Sequence, residues 1–131
     1  MLFVYGTLQY PSVLAAVLGR VPAMTPGRVA GWRAAALPGR VYPGLVPAPG
    51  RGASGQVLAG LTAGEWRRLD EFEGDAYERR RLPLVAGGEA WTYVWLDPDE
   101  VADHDWDPDG FAAAELGAYV IGCTEWRDDV S

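Results

Sequence analysis

Residues 61–81 read LTAGEWRRLDEFEGDAYERRR, and they spell out a helix with both of its ends. Thr62 stands at an N-cap position, and Glu65 follows three residues later, the spacing of a capping box. Leu61 before the cap and Trp66 four residues beyond it have the placement of a hydrophobic staple. Gly74 supplies a left-handed stop. Between these ends Trp66 and Leu69 mark an apolar face. Glu73, seven residues after Trp66 and so about two turns on, falls on that same face. A carboxylate on the buried side of a helix is costly unless it is paired or protonated. In the last turn the helix dipole also disfavours its charge. Both effects raise its pKa toward the range of a general acid or base. The plain alternative is a frayed last turn, with Glu73 in a structural ion pair with Arg79, Arg80 or Arg81. Asp70 and Glu71 point elsewhere on the wheel and read as solvated.

Working outward, 131 residues suit one domain, residues 1–131, with a real core. A hydrophobic content of 49% argues against disorder. The net charge of −7 argues against a nucleic-acid partner. The lone Cys123 excludes an intramolecular disulfide and a cysteine-based zinc cage, so no metal site is expected. No basic segment followed by a long apolar run opens the chain, and no stretch reaches the ~20 apolar residues of a membrane helix. The expectation is a cytoplasmic protein without a membrane partner.

The rest of the chain reads as α+β. Residues 1–5, MLFVY, form a short buried strand that stops at Gly6. Residues 7–10 are a loop. Pro11 suits the first turn of a helix that Gly19 ends. The rapid change from strand to glycine to helix leaves backbone amides near Gly6 to Leu8 free for an anion or a carbonyl oxygen; a simple connection is the alternative. Residues 28–37 read as a strand with a bulge at Gly31. Residues 40–49, RVYPGLVPAP, read as a rim loop or edge segment because of their prolines. Residues 55–60 look like a strand leading into the capped helix. Residues 77–85 and 89–96 form a hairpin around Ala86-Gly87-Gly88. Residues 97–109 are acidic and polar, 110–119 a short helix, and 120–131 a tail that returns through Trp126. The pattern predicts a small mixed, mostly antiparallel β-barrel flanked by few helices.

Several motifs nearly match and fail on context. Gly50, Gly52 and Gly55 satisfy G-x-G-x-x-G, but a proline-rich segment precedes them and a β-like run follows, so they read as a mobile glycine turn. Asp105, Asp107, Asp109 and Gly110 resemble half an EF-hand loop, yet the closing position is Leu116 and Glu115 misses by one. Ser54 fails the last position of a nucleophile elbow. His104 and Cys123 could form a dyad, or Cys123 could simply be buried. Trp91, Tyr93 and Trp95 alternate and share a sheet face, which lines either a pocket or the core.

Two stretches together resemble one family. Tyr5-Gly6-Thr7-Leu8 is similar to its N-terminal loop signature, Tyr-Gly-Ser/Thr-Leu. Leu69-Asp70-Glu71-Phe72-Glu73-Gly74, followed by Tyr77 and Arg79, resembles its acidic signature. Tyr42-Pro43-Gly44-Leu45-Val46-Pro47 is similar to a looser segment between them. The chain therefore resembles the γ-glutamylcyclotransferase-like family, which includes AIG2-like proteins, over residues 2–95, and after Asp97 the likeness is loose. The resemblance implies a small β-barrel with flanking helices. It implies a small-molecule γ-glutamyl substrate, with Glu73 catalytic and Tyr5, Gly6, Thr7, Leu8, Tyr42 and Tyr77 around the substrate. It also implies cofactor-free chemistry, in which the substrate's α-amine closes on its own γ-carbonyl to give 5-oxoproline. Two other readings stay open: acyl transfer or deacylation of a γ-glutamyl-tagged metabolite, and a non-catalytic binding or interaction protein.

Overall fold

The computed structural model describes residues 1–130. The elements run β1 (Leu2–Val4), a 3₁₀ turn (Thr7–Gln9), α1 (Pro11–Leu18), β2 (Ala23–Ala36), β3 (Pro43–Ala59), α2 (Ala63–Glu73), β4 (Tyr77–Pro83), β5 (Glu89–Trp95), α3 (Pro108–Ala114) and α4 (Leu116–Val130). The strands form one five-stranded sheet in the order β2-β3-β1-β5-β4. Its β2–β3, β1–β3 and β4–β5 ladders are antiparallel, and β5 lies parallel to β1. The fold is α+β, as its sequence indicates.

The two-residue period of β1 sorts its side chains into two cores. Leu2 and Val4 face helices α1, α2 and α4, packing with Val13, Leu14, Val17, Leu69 and Cys123. Phe3 and Tyr5 face the other way, with Val29, Leu45, Val57 and Val94 inside the curl of the sheet. Thr92, fully buried between strands, donates its hydroxyl to the Phe3 carbonyl at 3.0 Å. Such a bond removes the cost of a buried hydroxyl.

The sheet curls but does not close into the expected barrel. Its edges, β2 and β4, meet in one hydrogen bond, from the Val85 amide to the Arg28 carbonyl at 2.9 Å. β4 stops at Pro83, and the Leu84 amide is taken by the hairpin turn, bonding to Gly88 at 2.9 Å. No ladder can grow from that junction.

For residues 40–49 the edge-segment alternative holds over the rim loop. Only 40–42 are a loop, and from Pro43 the chain is the first half of a 17-residue strand paired to β2 from Ala36↔Pro43 to Trp32↔Pro47. Proline is tolerated there because this half of β3 has a second neighbour only at Leu45↔Val94. β2 likewise begins at Ala23, earlier than its pattern suggests, and carries Pro26 as a sheet-edge strand. The register shift between Ala30 and Trp32 is the bulge expected at Gly31. Gly50, Gly52 and Gly55 are within β3 rather than in a turn.

The acidic stretch straps the outer edge of β2. The Ala36 amide bonds to His104, and the amides of Ala102 and Trp106 bond to Ala36 and Ala34. Asp105 is held by Arg33 and Arg51, and Asp107 caps α3. The expected tail is instead the 15-residue α4. Its Trp126 meets Phe72 of α2 edge-on at 5.2 Å, and its Arg127 donates to the Ala15 carbonyl of α1 at 2.9 Å.

Gly55 matters because β1 lies directly on it. A Cβ there would sit 2.1 Å from the Val4 carbonyl oxygen, whereas a Cβ at Gly50 (φ +81°) meets open space. Gly55→Ala should therefore cost about 3 kcal/mol through displaced backbone. Gly50→Ala should cost only about 1 kcal/mol of left-handed strain. Urea unfolding of the two variants checks the order, and equal losses would contradict it.

Candidate active site

The strand-to-helix break at Gly6 and the C-terminal end of α2 face one cavity. It has a volume of about 280 Å³, at the small end for small-molecule sites. Its wall includes every residue that the family resemblance implies for the site: Tyr5, Gly6, Thr7, Leu8, Tyr42, Glu73 and Tyr77. The sequence reading missed Phe72, Tyr93 and Tyr119, which line it too. Tyr93 was visible only as one of three alternating aromatics. Of these, Tyr93 reaches the cavity, Trp95 is buried in a separate cluster, and Trp91 is 37% exposed. Tyr119 comes from α4, and no local signal marks it.

The capping box of α2 forms as its spacing indicates. The Thr62 hydroxyl accepts from the Glu65 amide at 3.1 Å, and the Glu65 carboxylate accepts from the Thr62 amide at 2.9 Å. Arg20 grips the same carboxylate at 2.6 Å. With that end fixed, the helix runs to Glu73 and stops at Gly74, whose φ is +73°. Glu73 is half-buried and lines the cavity. The arginines that could have neutralised it are engaged elsewhere: Arg79 with Asp70, Arg80 with Glu78 and Arg81 with Glu89. Removal from water without a partner charge lifts the Glu73 pKa from 4.5 to about 8.

The phenols around it titrate far from neutrality. Burial raises Tyr5, Tyr77, Tyr93 and Tyr119 well above the ordinary tyrosine range, and the Glu73 charge adds to each. All four remain neutral hydrogen-bond donors at physiological pH. Tyr5 and Tyr77 spend their protons on the Tyr93 and Pro43 carbonyls, at 2.5 and 2.7 Å. The Tyr119 oxygen accepts from the Thr7 hydroxyl at 3.1 Å, which leaves its own proton to donate.

Opposite Glu73 the chain turns at Gly6. The Gln9 and Tyr10 amides close on the Gly6 and Thr7 carbonyls at 3.1 and 3.2 Å. The amides of Gly6, Thr7 and Leu8 stand where a helix start lacks intrahelical acceptors. Gly6 is needed for space rather than for its backbone angles: φ is −122°, and a Cβ would sit 2.8 Å from Pro43. The arrangement brings the strand-to-helix break, neutral phenols and one carboxyl group that exchanges its proton near neutral pH to the wall of one cavity.

The other sequence candidates stay outside. Cys123 is buried among the helices with its thiol pushed up to about 11, and His104 is exposed on the strap. Among the described residues no cluster of His, Cys, Asp and Glu could hold a metal ion, and no helix is long and apolar enough to cross a membrane. Asp70 is not simply solvated, because it accepts a hydrogen bond from the Tyr93 hydroxyl at 2.8 Å.

Comparison with known proteins bears on this cavity. A family model described as "Gamma-glutamyl cyclotransferase, AIG2-like" matches residues 2–108. AIG2-like protein C of Arabidopsis thaliana is 37% identical over 81% of the chain, which spans 66% of that relative's length. A solution structure of an Arabidopsis thaliana protein superposes with a TM-score of 0.71 at 30% identity, covering 92% of this chain and 85% of that one. A structure titled "Gamma-glutamyl cyclotransferase" shares the fold, with a TM-score of 0.59 at 15% identity over 73% of this chain and 66% of that one.

The raised pKa has a consequence for stability. Below pH 4.5 Glu73 is protonated in both folded and unfolded chains and contributes nothing. Between 4.5 and about 8 the unfolded chain releases the proton and the folded chain keeps it, so stability falls as pH rises. Above about 8 both forms are ionised and the penalty is constant. Glu73→Gln should therefore melt progressively higher than the parent between pH 5 and 8, by several degrees at the upper end. A melting difference that does not change with pH would show that Glu73 ionises normally.

Proposed function

Because the chain belongs to the gamma-glutamyl cyclotransferase, AIG2-like family, we propose that it is an enzyme that cyclises a γ-glutamyl amine or peptide to 5-oxoproline. The observation that carries the reading is Glu73: a carboxyl group without a counter-cation among the described residues, in a cavity, with a pKa of about 8. The α-ammonium group of the substrate must lose a proton before its nitrogen can attack. A base of matched pKa takes that proton readily and gives it up again. The α-nitrogen then bonds to the γ-carbonyl carbon, and the bond from that carbon to the leaving nitrogen breaks. The proton on Glu73 passes to the departing amine, and the second proton that the α-nitrogen sheds on becoming the ring amide follows it, so the amine leaves as its ammonium form. No water, electron or carried group enters or leaves, so the step balances within one substrate molecule.

The chain's other groups suit the remaining tasks. Amides at Gly6 to Leu8 and the Tyr119 hydroxyl can hold the carboxylate or the developing oxyanion. The small cavity, walled by Phe3, Phe72 and Tyr42, suits a folded glutamyl group, in which amine and carbonyl are already close. The neutral phenols leave Glu73 without competition for the proton.

The test is turnover of a panel of γ-glutamyl amines, dipeptides and glutathione, scored for 5-oxoproline. Glu73→Gln should lose about two to four orders of magnitude in kcat, while Glu71→Gln, on the exposed face of α2, should retain nearly full rate. The acid limb of kcat/KM should have its midpoint near 8. An active Glu73→Gln beside a dead Glu71→Gln would move the role to the other carboxylate. Gly6→Val should abolish binding of 5-oxoproline by pressing Pro43 into the cavity, and unchanged affinity would remove the loop from the site.

A further inference from the structure

Beyond the cavity, on the outer side of Tyr77 and Tyr93, Asp70, Gly74, Asp75, Arg79 and Trp91 form an open depression that shares those two tyrosines with it. Asp70 lines it, three residues before Glu73 and so one turn earlier on α2. The Tyr93 hydroxyl donates to Asp70 Oδ1 at 2.8 Å, and Arg79 Nη2 lies 3.8 Å from Asp70 Oδ2. Arg79 and Tyr93 are direct cross-strand partners of the β4–β5 hairpin, so one rung of the sheet reaches the same carboxylate from two residues. The Arg79 guanidinium also lies over Trp66 of α2 at 4.7 Å and over Trp91 of β5 at 5.3 Å.

The contacts differ in weight. The exposed, long Arg79–Asp70 pair contributes little by itself. The partly buried hydroxyl-to-carboxylate bond is charge-assisted and stronger. We propose that Asp70 is a positioning residue: clasped by Tyr93 and steadied by Arg79, it fixes the last turn of α2 and thereby the place where Glu73 enters the cavity. Its importance for turnover rests on the cyclotransferase reading; its effect on the geometry of Glu73 does not.

The experiment has a substrate-free arm and a kinetic arm. In the first, the Glu73 carboxyl carbon is titrated by ¹³C NMR in the parent, Asp70→Asn, Asp70→Ala and Tyr93→Phe proteins, with Glu73→Gln assigning the signal. The phenols of Tyr5 after β1, Tyr77 on β4, Tyr93 on β5 and Tyr119 on α4 stay neutral throughout, so they supply no competing transition. The parent midpoint is near 8. Asparagine still accepts from Tyr93 and should keep that midpoint. Asp70→Ala should lower it by about one pH unit as the loosened carboxyl reaches water. Tyr93→Phe should lower it as well, although removing a polar group from the wall would by itself raise it, so the direction separates positioning from local polarity. This variant carries the test if Asp70→Ala does not fold.

In the kinetic arm, Asp70→Ala should lose about ten-fold in kcat with little change in KM. Asp70→Asn should restore it, and Tyr93→Phe should add nothing to Asp70→Ala. An unmoved Glu73 midpoint in Asp70→Ala, or an asparagine variant as impaired as alanine, overturns the clasp. A shifted midpoint in a protein whose parent makes no 5-oxoproline leaves the clasp standing and removes the cyclotransferase reading.

Discussion

The hydroxyl of Tyr5 holds the point on which the rest of the molecule turns. β1 is only three residues long and ends at Val4, between β3 and β5. Where it ends, its two neighbours β3 and β5 have no backbone between them and pair directly only at Leu45↔Val94. The buried Tyr5 phenol spans this place, donating to the Tyr93 carbonyl and accepting from the Leu45 amide. It takes over the hydrogen bonds that a longer β1 would have made. The backbone of residues 6–8 is thereby free to leave the sheet and face the cavity. A buried amide and carbonyl left without partners would each cost about 1–3 kcal/mol. The short strand and the loop that lines the cavity are thus linked to one side chain.

The second constraint is the Glu73 carboxylate, which has no ion-pair partner among the described residues. Eleven arginines are available in the chain, and the three that follow Glu73 on β4, Arg79, Arg80 and Arg81, bind Asp70, Glu78 and Glu89 instead. Pairing Glu73 with any of them would stabilise the fold and pull its pKa down, out of the useful range. Leaving it among aromatic rings does the reverse. Stability conceded at one buried group is a recurring feature of sites that move protons. The strong capping box of α2, the Arg20–Glu65 pair and the Phe72–Trp126 contact offset that loss along the same helix.

What could be read from the sequence follows the range of the interactions involved. α2 was legible from cap to stop because its signals are local: Thr62, Glu65 and Gly74 act within one turn of themselves. The positions of Gly6, Glu73 and Tyr77 in one cavity followed from a resemblance, and the helix wheel alone placed only Glu73. The first half of β3 could be read only as a rim loop or an edge segment, because the cost of its prolines depends on which neighbours need an amide, and that is a property of the sheet. Closure of the barrel was misread because it depends on whether the ends of β2 and β4 meet, far apart in sequence. Asp70 seemed solvated on the wheel because its partner, Tyr93, lies on a strand beyond the helix. Tyr119 was invisible for the same reason, with Thr7 being 112 residues away.

The C-terminal helices show how a cavity of this kind is completed. The family match ends at residue 108, where α3 starts, yet part of the cavity wall lies beyond it. Trp106, Phe111 and Tyr119 form a run of rings 5.4 Å apart, from the strap at the edge of β2 to the cavity. Trp106 donates its indole proton to the Val41 carbonyl, next to Tyr42 in the wall. Tyr10 joins the same cluster, stacking on Phe111 and donating to the Pro108 carbonyl. A displacement of α4 would therefore reach the cavity by three routes: through Tyr119 and Thr7, through Trp126 and Phe72 on the last turns of α2, and through the strap to Tyr42. Sheet and α2 supply the proton-exchanging carboxyl and the loop amides, whereas the dryness that sets the pKa of that carboxyl depends also on α4.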